Sequence, residues 1–202
     1  MNILNLLNQN EKEKISYLNL KQNQILFHEG EECKSIFIII EGQITILNYS
    51  LNGNEEIISI LNKNDVFANA LIFSNNNYYL GEIIATKPTK LAIINKNELI
   101  SLLQNNKSFL ECYINLIAEK TIKFTIKTKL LSHKNIRSRI IYYLEINNYS
   151  IKKNISFLAK ELVLPRPSVS REISKMINED IIYIKNNKII YKKNLGFPKH
   201  NN

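Results

Sequence analysis

The apolar positions of this chain fall into three successive patterns. Between residues 25 and 94, short apolar runs are broken by Gly, Asn and Asp with no sustained helical period. Residues 35–40 and 43–48 are predicted as two strands separated by Glu41-Gly42, with 55–61 as a third and 89–94 closing the series. The link Leu51-Asn52-Gly53-Asn54 contains Asn-Gly, two residues that tolerate the positive φ of a tight hairpin turn. Several short strands at close spacing predict a sandwich or barrel.

From residue 98 to 132 there is neither Gly nor Pro. Leu110, Ile114, Ile117, Thr121, Phe124, Thr128 and Leu131 recur there in alternating steps of four and three. This is the spacing of a coiled-coil seam, weakened in its middle by Thr. A helix of about 45–50 Å exceeds what one small domain covers, which favours a partner helix. Packing on its own barrel is the other reading.

Beyond His133-Lys134-Asn135 the pattern breaks into short helical segments. Ile136, Ile140, Ile141 and Leu144 form one apolar face, with Arg137 and Arg139 expected outward, and 147–154 reads as a polar connection. Ser156 is expected to cap a helix over 157–162, and Val163-Leu164-Pro165 to interrupt it. Pro167 suits the first turn of the next helix, where its missing N–H costs nothing. In that helix Val169, Ile173, Met176 and Ile177 face inward, while Ser168, Ser170, Arg171, Ser174 and Lys175 face out. Two short helices about a tight turn make a helix-turn-helix. Residues 181–184 and 188–191, flanking Lys185-Asn186-Asn187, read as a small hairpin or wing.

At 202 residues, 45% hydrophobic and 22% charged, the chain is expected to fold, with room for two small domains. No run approaches the ~20 apolar residues of a membrane helix, and the N-terminus lacks a secretory pattern, so a cytoplasmic location is expected. Ile, Asn and Lys are so abundant that spacing, not single residues, carries these assignments. Charge changes the picture more. Residues 133–202 hold fourteen Lys and Arg against five Asp and Glu, and residues 1–132 hold thirteen of each, so the formal net charge of +9 resides in the last third. A neutral front and a basic back point to a polyanion, and no basic helix has the dense apolar face that would favour a membrane.

Arg166, Ser168, Ser170 and Arg171 put short polar and basic side chains on the N-terminal part of the outward helix face, where base edges are read. An Arg there can donate two hydrogen bonds to guanine N7 and O6. Lys175, Lys185 and Lys188 would neutralise phosphates of double-stranded DNA without reading sequence. The sequence offers no nucleophile–base pair, phosphate loop or metal-ligand spacing, so neither an enzyme nor a metal site is expected. Cys33 and Cys112 are too few for a disulfide framework and read as ordinary apolar-face residues.

At this point the chain resembles the Crp/Fnr family of bacterial transcription regulators over nearly its whole length. His28-Glu29-Gly30, the run from Ile36 to Gly42, Gly53, and Leu61-Asn62-Lys63-Asn64-Asp65 resemble the family's effector barrel in order and spacing. The long helix resembles its dimerisation helix. Val163 to Ile182 is similar to its winged helix-turn-helix, Ser170-Arg171 matching the Ser/Gly-Arg that contacts DNA.

The resemblance also locates departures. Cyclic-AMP-binding members carry Phe-Gly-Glu and then Arg-Ser/Thr-Ala. Here the first element reads Phe67-Ala68-Asn69 and the second Tyr79-Leu80-Gly81, without the Gly, the ribose-binding Glu, the phosphate-pairing Arg or the hydroxyl. An unpaired buried phosphate costs several kcal/mol, so cyclic AMP is not the expected effector. Phe67, Asn69, Phe73, Tyr79 and Leu80 are instead expected around an aromatic cavity that takes a neutral ligand or haem, or is filled by its own side chains. The family's iron–sulfur branch uses four cysteines, so no cluster is expected here. Haem on His28 is the lesser alternative, since that slot often holds an ordinary residue. His133 and His200 read as hinge and tail residues. Pro167 stands where many relatives have Glu, so their half-site sequence does not carry over.

The expected protein is α+β. A double-stranded β-helix or jelly-roll barrel spans residues 1–108, a dimerisation helix 109–132 and a winged helix-turn-helix 133–202. A homodimer on a palindromic operator, with RNA polymerase as a further partner, would activate or repress under an effector other than cyclic AMP. The alternative is a constitutive repressor whose barrel senses nothing.

Overall fold

The computed structural model describes residues 2–49 and 55–192. The chain divides into two compact units, Met1–Glu119 and Lys120–Asn202. The expected turn at Leu51-Asn52-Gly53-Asn54, and His200, lie outside the described residues.

In the first unit, a 3-10 turn (Ile3–Leu6) and helix α1 (Gln9–Glu13) precede strands β1 (Ser16–Leu20), β2 (Ile25–Phe27), β3 (Ser35–Glu41) and β4 (Gln43–Tyr49). Strands β5 (Glu55–Asn62), β6 (Val66–Phe67), β7 (Glu82–Ala85) and β8 (Thr89–Asn95) follow. They pair antiparallel into two four-stranded sheets, ordered β1-β8-β3-β6 and β2-β7-β4-β5, as a jelly-roll barrel. The run Ile36–Ile39 is buried without a break because β3 is covered on both faces. Ile3, Leu7, Leu99, Leu102 and Phe109, from outside the sheets, belong to the same core as the barrel residues. The four strands expected from sequence are present, each extended by one residue. The unanticipated β1, β2, β6 and β7 are two to five residues long and show too little alternation to detect.

The stretch 98–132, expected as one helix, is interrupted. Helix α2 (Lys96–Asn105) stops at Asn106, which has extended backbone angles of φ −122° and ψ 95°. The Asn106 side chain accepts the Phe109 N–H at 3.0 Å, opening helix α3 (Lys107–Ser132), and donates to the Leu6 carbonyl oxygen at 3.1 Å. Asn offers the backbone such local alternatives to a continuous helix. Helix α3 contributes Phe109 and Tyr113 to the barrel core and Leu130 to the core of the second unit.

The second unit continues with α4 (Ile136–Ile146), β9 (Ser150–Lys152), α5 (Ile155–Leu162), α6 (Arg166–Asn178), β10 (Ile182–Lys185) and β11 (Lys188–Tyr191). Three expectations are corrected. The polar connection 147–154 contains β9, which pairs with β11 and makes the wing a three-stranded sheet ordered β10-β11-β9. The cap of α5 is Asn154, not Ser156: its side chain accepts the Phe157 N–H at 3.0 Å. Arg137 and Arg139 are not turned to solvent. Arg137 bonds Glu172 at 2.6 Å and Glu179 at 2.6 and 2.9 Å. Arg139 donates to the carbonyl oxygens of His133, Leu162 and Leu131 at 3.0–3.3 Å, joining the ends of α3 and α5. A guanidinium, with five donors in a fixed fork, suits such a junction. His133 sits there with its ring 5.0 Å from that of Tyr142.

Candidate nucleic-acid interface

Helix α5 ends at Val163, whose φ of 54° is left-handed. The Leu164 N–H then returns to the Ala159 carbonyl oxygen at 3.0 Å, closing the turn. Pro165 caps α6, and Pro167 lies in its first turn. Val169, Ile173 and Met176 anchor α6 in the second core, which fixes its opposite face outward. Arg166, Ser170, Arg171 and Lys175 are exposed on that face, and Ser168 is half-buried. Arg166 donates to the Ser156 hydroxyl at 3.0 Å, linking the two helices, while Arg171 lies back toward the Pro167 carbonyl oxygen at 3.4 Å.

The acids of this unit are placed to leave that face cationic. Glu172 and Glu179 are taken by Arg137, and Asp180 by Lys192. The hydrogen bonds from Arg137 hold the Glu179 carboxyl below the usual carboxylate range, and those from Glu179 and then Glu172 hold the guanidinium above its own. Arg166, Arg171, Lys175, Lys185 and Lys188 make no ion pair among the described residues.

The wing turns through Asn186 and Asn187, with φ of 49° and 55°, the two positive values of a type I′ hairpin. Lys185 stands directly opposite Lys188, and Lys188 opposite Lys152. Directly opposed residues share a face, so three lysines form one exposed row across the sheet. Like charges so placed destabilise a sheet by roughly 0.2–1 kcal/mol and favour an anion between them. Lys152 is not evident from sequence, because the three residues of β9 read there as part of a polar connection. Four more lysines, Lys120, Lys123, Lys127 and Lys129, were counted with the front of the chain. Divided at the structural boundary, the first unit holds nine Lys and Arg against thirteen acids, and the second eighteen against five.

Along α3, Ile114, Thr121, Phe124, Thr128 and Leu131 are exposed, Phe124 at 73%. Leu110 is half-buried, and Ile117 is partly spent on packing against the barrel core.

In the barrel, Phe67, Asn69 and Tyr79 are buried, whereas Phe73 and Leu80 lie at the surface. That splits the five expected pocket residues and corrects the grouping. Tyr79 exchanges backbone hydrogen bonds with Gly30 and Glu31, so the segment is extended, and burying Tyr79 points Leu80 outward. Gly81 also presses against β4, where a Cβ would lie 2.4 Å from the Leu47 carbonyl oxygen. Phe73 sits under the Lys96 ammonium at 5.9 Å.

Tyr79, standing where the resemblance implies Arg, stacks on Phe27 at 4.4 Å. Phe27 meets Phe37 edge-on at 5.4 Å, and Phe37 stacks on Phe67 at 5.0 Å. Burial holds the Tyr79 phenol above its usual range. Its hydroxyl lies beside the Cys33 thiol, which itself donates to the Ser35 carbonyl oxygen at 3.4 Å. Ala68, in the slot of the implied Gly, keeps a left-handed φ of 63°. The Asn69 carbonyl oxygen accepts the Tyr113 hydroxyl from α3 at 3.1 Å. His28 faces Glu82 through Nδ1 at 3.0 Å, and Tyr49 donates to the same carboxylate. Cys33 and Cys112 are both free thiols.

A jelly-roll barrel followed by a winged helix-turn-helix with an unpaired cationic face defines a class of DNA-binding regulator. Residues 17–106 match the cyclic nucleotide-binding domain family. Over 199 residues the chain is 27% identical to the ycf28 protein of Porphyra purpurea, named as an HTH-type transcriptional regulator, covering 93% of this chain and 82% of that one. Over 85 residues it is 28% identical to the cAMP-activated global transcriptional regulator CRP of Pasteurella multocida, covering 42% of this chain and 41% of that protein. The crystal structure of the Thermus thermophilus catabolite activator protein shares the fold, with a TM-score of 0.56 and 15% identity over 96% of this chain and 94% of that one. The chain thus contains a cyclic nucleotide-binding-type domain and is homologous to Crp/Fnr-type transcriptional regulators. None of its described helices is long and apolar enough to cross a membrane.

Proposed function

We propose that this chain is a sequence-specific DNA-binding transcription regulator, acting as a homodimer on a palindromic operator and not controlled by cyclic AMP. The observation that carries the reading is the cationic face of α6 and the wing, from which the acids have been drawn aside into pairs with Arg137 and Lys192. Arg171 reads base edges, with Arg166 and Ser170 beside it, and Lys175 and the row Lys152, Lys185 and Lys188 hold phosphates. RNA polymerase is the further partner this role implies.

Gel-shift titration on a selected site tests it. Arg171→Ala is expected to cost about 1–3 kcal/mol on the preferred sequence and to relax specificity. Lys188→Ala should weaken all sequences alike and flatten the salt slope by about one. Undiminished selectivity in Arg171→Ala would displace the recognition helix from this role.

A second reading concerns the barrel. The stack of Phe27, Tyr79, Phe37 and Phe67 favours a barrel that holds its own side chains in place of an effector. Cyclic AMP or cyclic GMP at millimolar concentration is expected to leave the melting temperature unchanged, because stabilisation follows the ratio of ligand to dissociation constant. A rise of several degrees would reject this account of the barrel.

A further inference from the structure

The second unit contains a groove that the DNA-binding role does not use. It encloses about 440 Å³ between the C-terminal half of α3, the end of α4 and the end of α5. Ile126, Tyr143 and Ile146 form its floor, and Lys123, Lys127 and Lys160 stand on its walls with Glu161 as the single acid. Tyr143 also lines a neighbouring hollow of about 430 Å³, where Phe157 is exposed. Together these give an apolar trough with a basic rim.

Three features argue for a specific occupant. No residue assigned to DNA lines the groove itself, so it stays open while DNA is read; the neighbouring hollow touches that surface only through Lys152. Ile126 lies two residues from Phe124, about 200° around the helix, so the groove floor faces away from the seam that a second copy would cover, with Lys127 at the edge between them. Lys123 and Lys127 are a like-charged i,i+4 pair, a mildly unfavourable arrangement that an opposing carboxylate would relieve. Neither makes an ion pair among the described residues. Burial, with Glu161 nearby, holds the Tyr143 phenol above its usual range, in keeping with a floor that sheds water. A phosphate backbone has no use for such a floor, whereas one face of an amphipathic helix does.

We propose that this groove seats an acidic amphipathic helix of a protein partner, its apolar residues on Ile126, Tyr143 and Ile146 and its carboxylates against Lys123, Lys127 and Lys160. The proposal goes beyond DNA recognition and does not depend on what the barrel senses.

The test titrates the full chain, by fluorescence anisotropy, into a labelled peptide of roughly 15 residues with Leu and Phe on one helical face and Glu on the other. A control peptide keeps the Glu and carries Ser in place of Leu and Phe, and a short non-specific duplex serves as competitor. The apolar peptide is expected to bind at least about tenfold more tightly than the control, and Lys123→Glu with Lys127→Glu to weaken it by about tenfold or more. Saturating duplex should leave it bound. Equal binding of the two peptides would overturn the proposal, as would an unchanged affinity in the double variant. Displacement by duplex would do so as well, assigning the lysines to nucleic acid. If the double variant melts early, Lys160→Glu, on the opposite wall, carries the same expectation.

Discussion

The two units handle their polar groups in opposite ways. In the barrel, the position where the resemblance implies Arg is filled by the chain's own buried Tyr79. Tyr79 stacks into a row of aromatic rings, and the Asn69 carbonyl oxygen is taken by Tyr113. In the winged unit three of the five acids are withdrawn into pairs, and a row of lysines is left facing itself across the wing. The aromatic row is satisfied from within, whereas the lysine row carries unpaired cations. The charge follows the same division, nine Lys and Arg against thirteen acids in the first unit and eighteen against five in the second. Fold similarity alone would assign both units the roles of their relatives, whereas the placement of polar groups separates them.

The comparison is broken most directly at α3. Ile117 is an unsuitable probe, since it also packs on the barrel core, but Phe124 is 73% exposed and belongs to neither core. Phe124→Asp should give a folded monomer in sedimentation velocity. Losing the second, linked half-site should then weaken operator binding by roughly 10²–10⁴-fold, with half-site contacts intact. An unchanged dimer would show that the exposed stripe is not the seam.

The legibility of the sequence followed the same line. The helix-turn-helix was readable because its signals are local: a Val-Leu-Pro interruption, a proline in the next first turn and an apolar stripe of fixed period. The wing turn was equally local, resting on two consecutive Asn. The strands with strong apolar runs were readable, whereas β2 and β6, three and two residues long, were defined by their partners alone. Arg137 and Arg139 looked like solvent-facing cations because their acceptors lie up to 42 residues away or are backbone carbonyls, which no periodicity reveals. The barrel site was half legible. The departure from the phosphate cassette that the resemblance implies stood in the sequence, but the inward turn of Tyr79 and the outward turn of Leu80 depend on pairing with residues 30–31.

The second prediction separates the units by pH. Burial pushes the Tyr113 phenol from about 10 up to about 12. A folded value above the unfolded one means that this contribution is complete below pH 10 and is lost as pH rises toward 12. Glu179 is shifted the other way by Arg137, so its contribution is present above the ordinary carboxylate value and is lost as pH falls through the depressed one. Alkali should therefore loosen the barrel more than the winged unit, because the barrel holds Tyr79 and Tyr113, the phenols raised furthest. Tyr113→Phe should cost the barrel about 1 kcal/mol through the lost bond to Asn69, while removing the Tyr113 share of that alkaline sensitivity and leaving that of Tyr79. Hydrogen exchange resolved by unit across alkaline pH checks it, and simultaneous loosening of both units would contradict it.

The smallest effect is the most discriminating, because one substitution made in each unit should give different results. Ala68 and Val163 both hold left-handed backbone, φ 63° and 54°, where a Cβ crowds the following carbonyl at a cost of roughly 1–2 kcal/mol. Glycine relieves that crowding at either site, at some cost in unfolded-state entropy. Val163 is 54% exposed in the helix-turn-helix, so removing its side chain forfeits little packing, and Val163→Gly should stabilise the winged unit by about 1 kcal/mol. Ala68 packs against the barrel core, so its methyl contributes burial of about 0.8 kcal/mol that Ala68→Gly would lose. The two terms nearly cancel, and the barrel should be close to unchanged. Hydrogen-exchange free energies from the core of each unit measure both. A clear gain in the barrel with Ala68→Gly would mean that its methyl packs against nothing of consequence and that the former glycine slot retains room for a ligand.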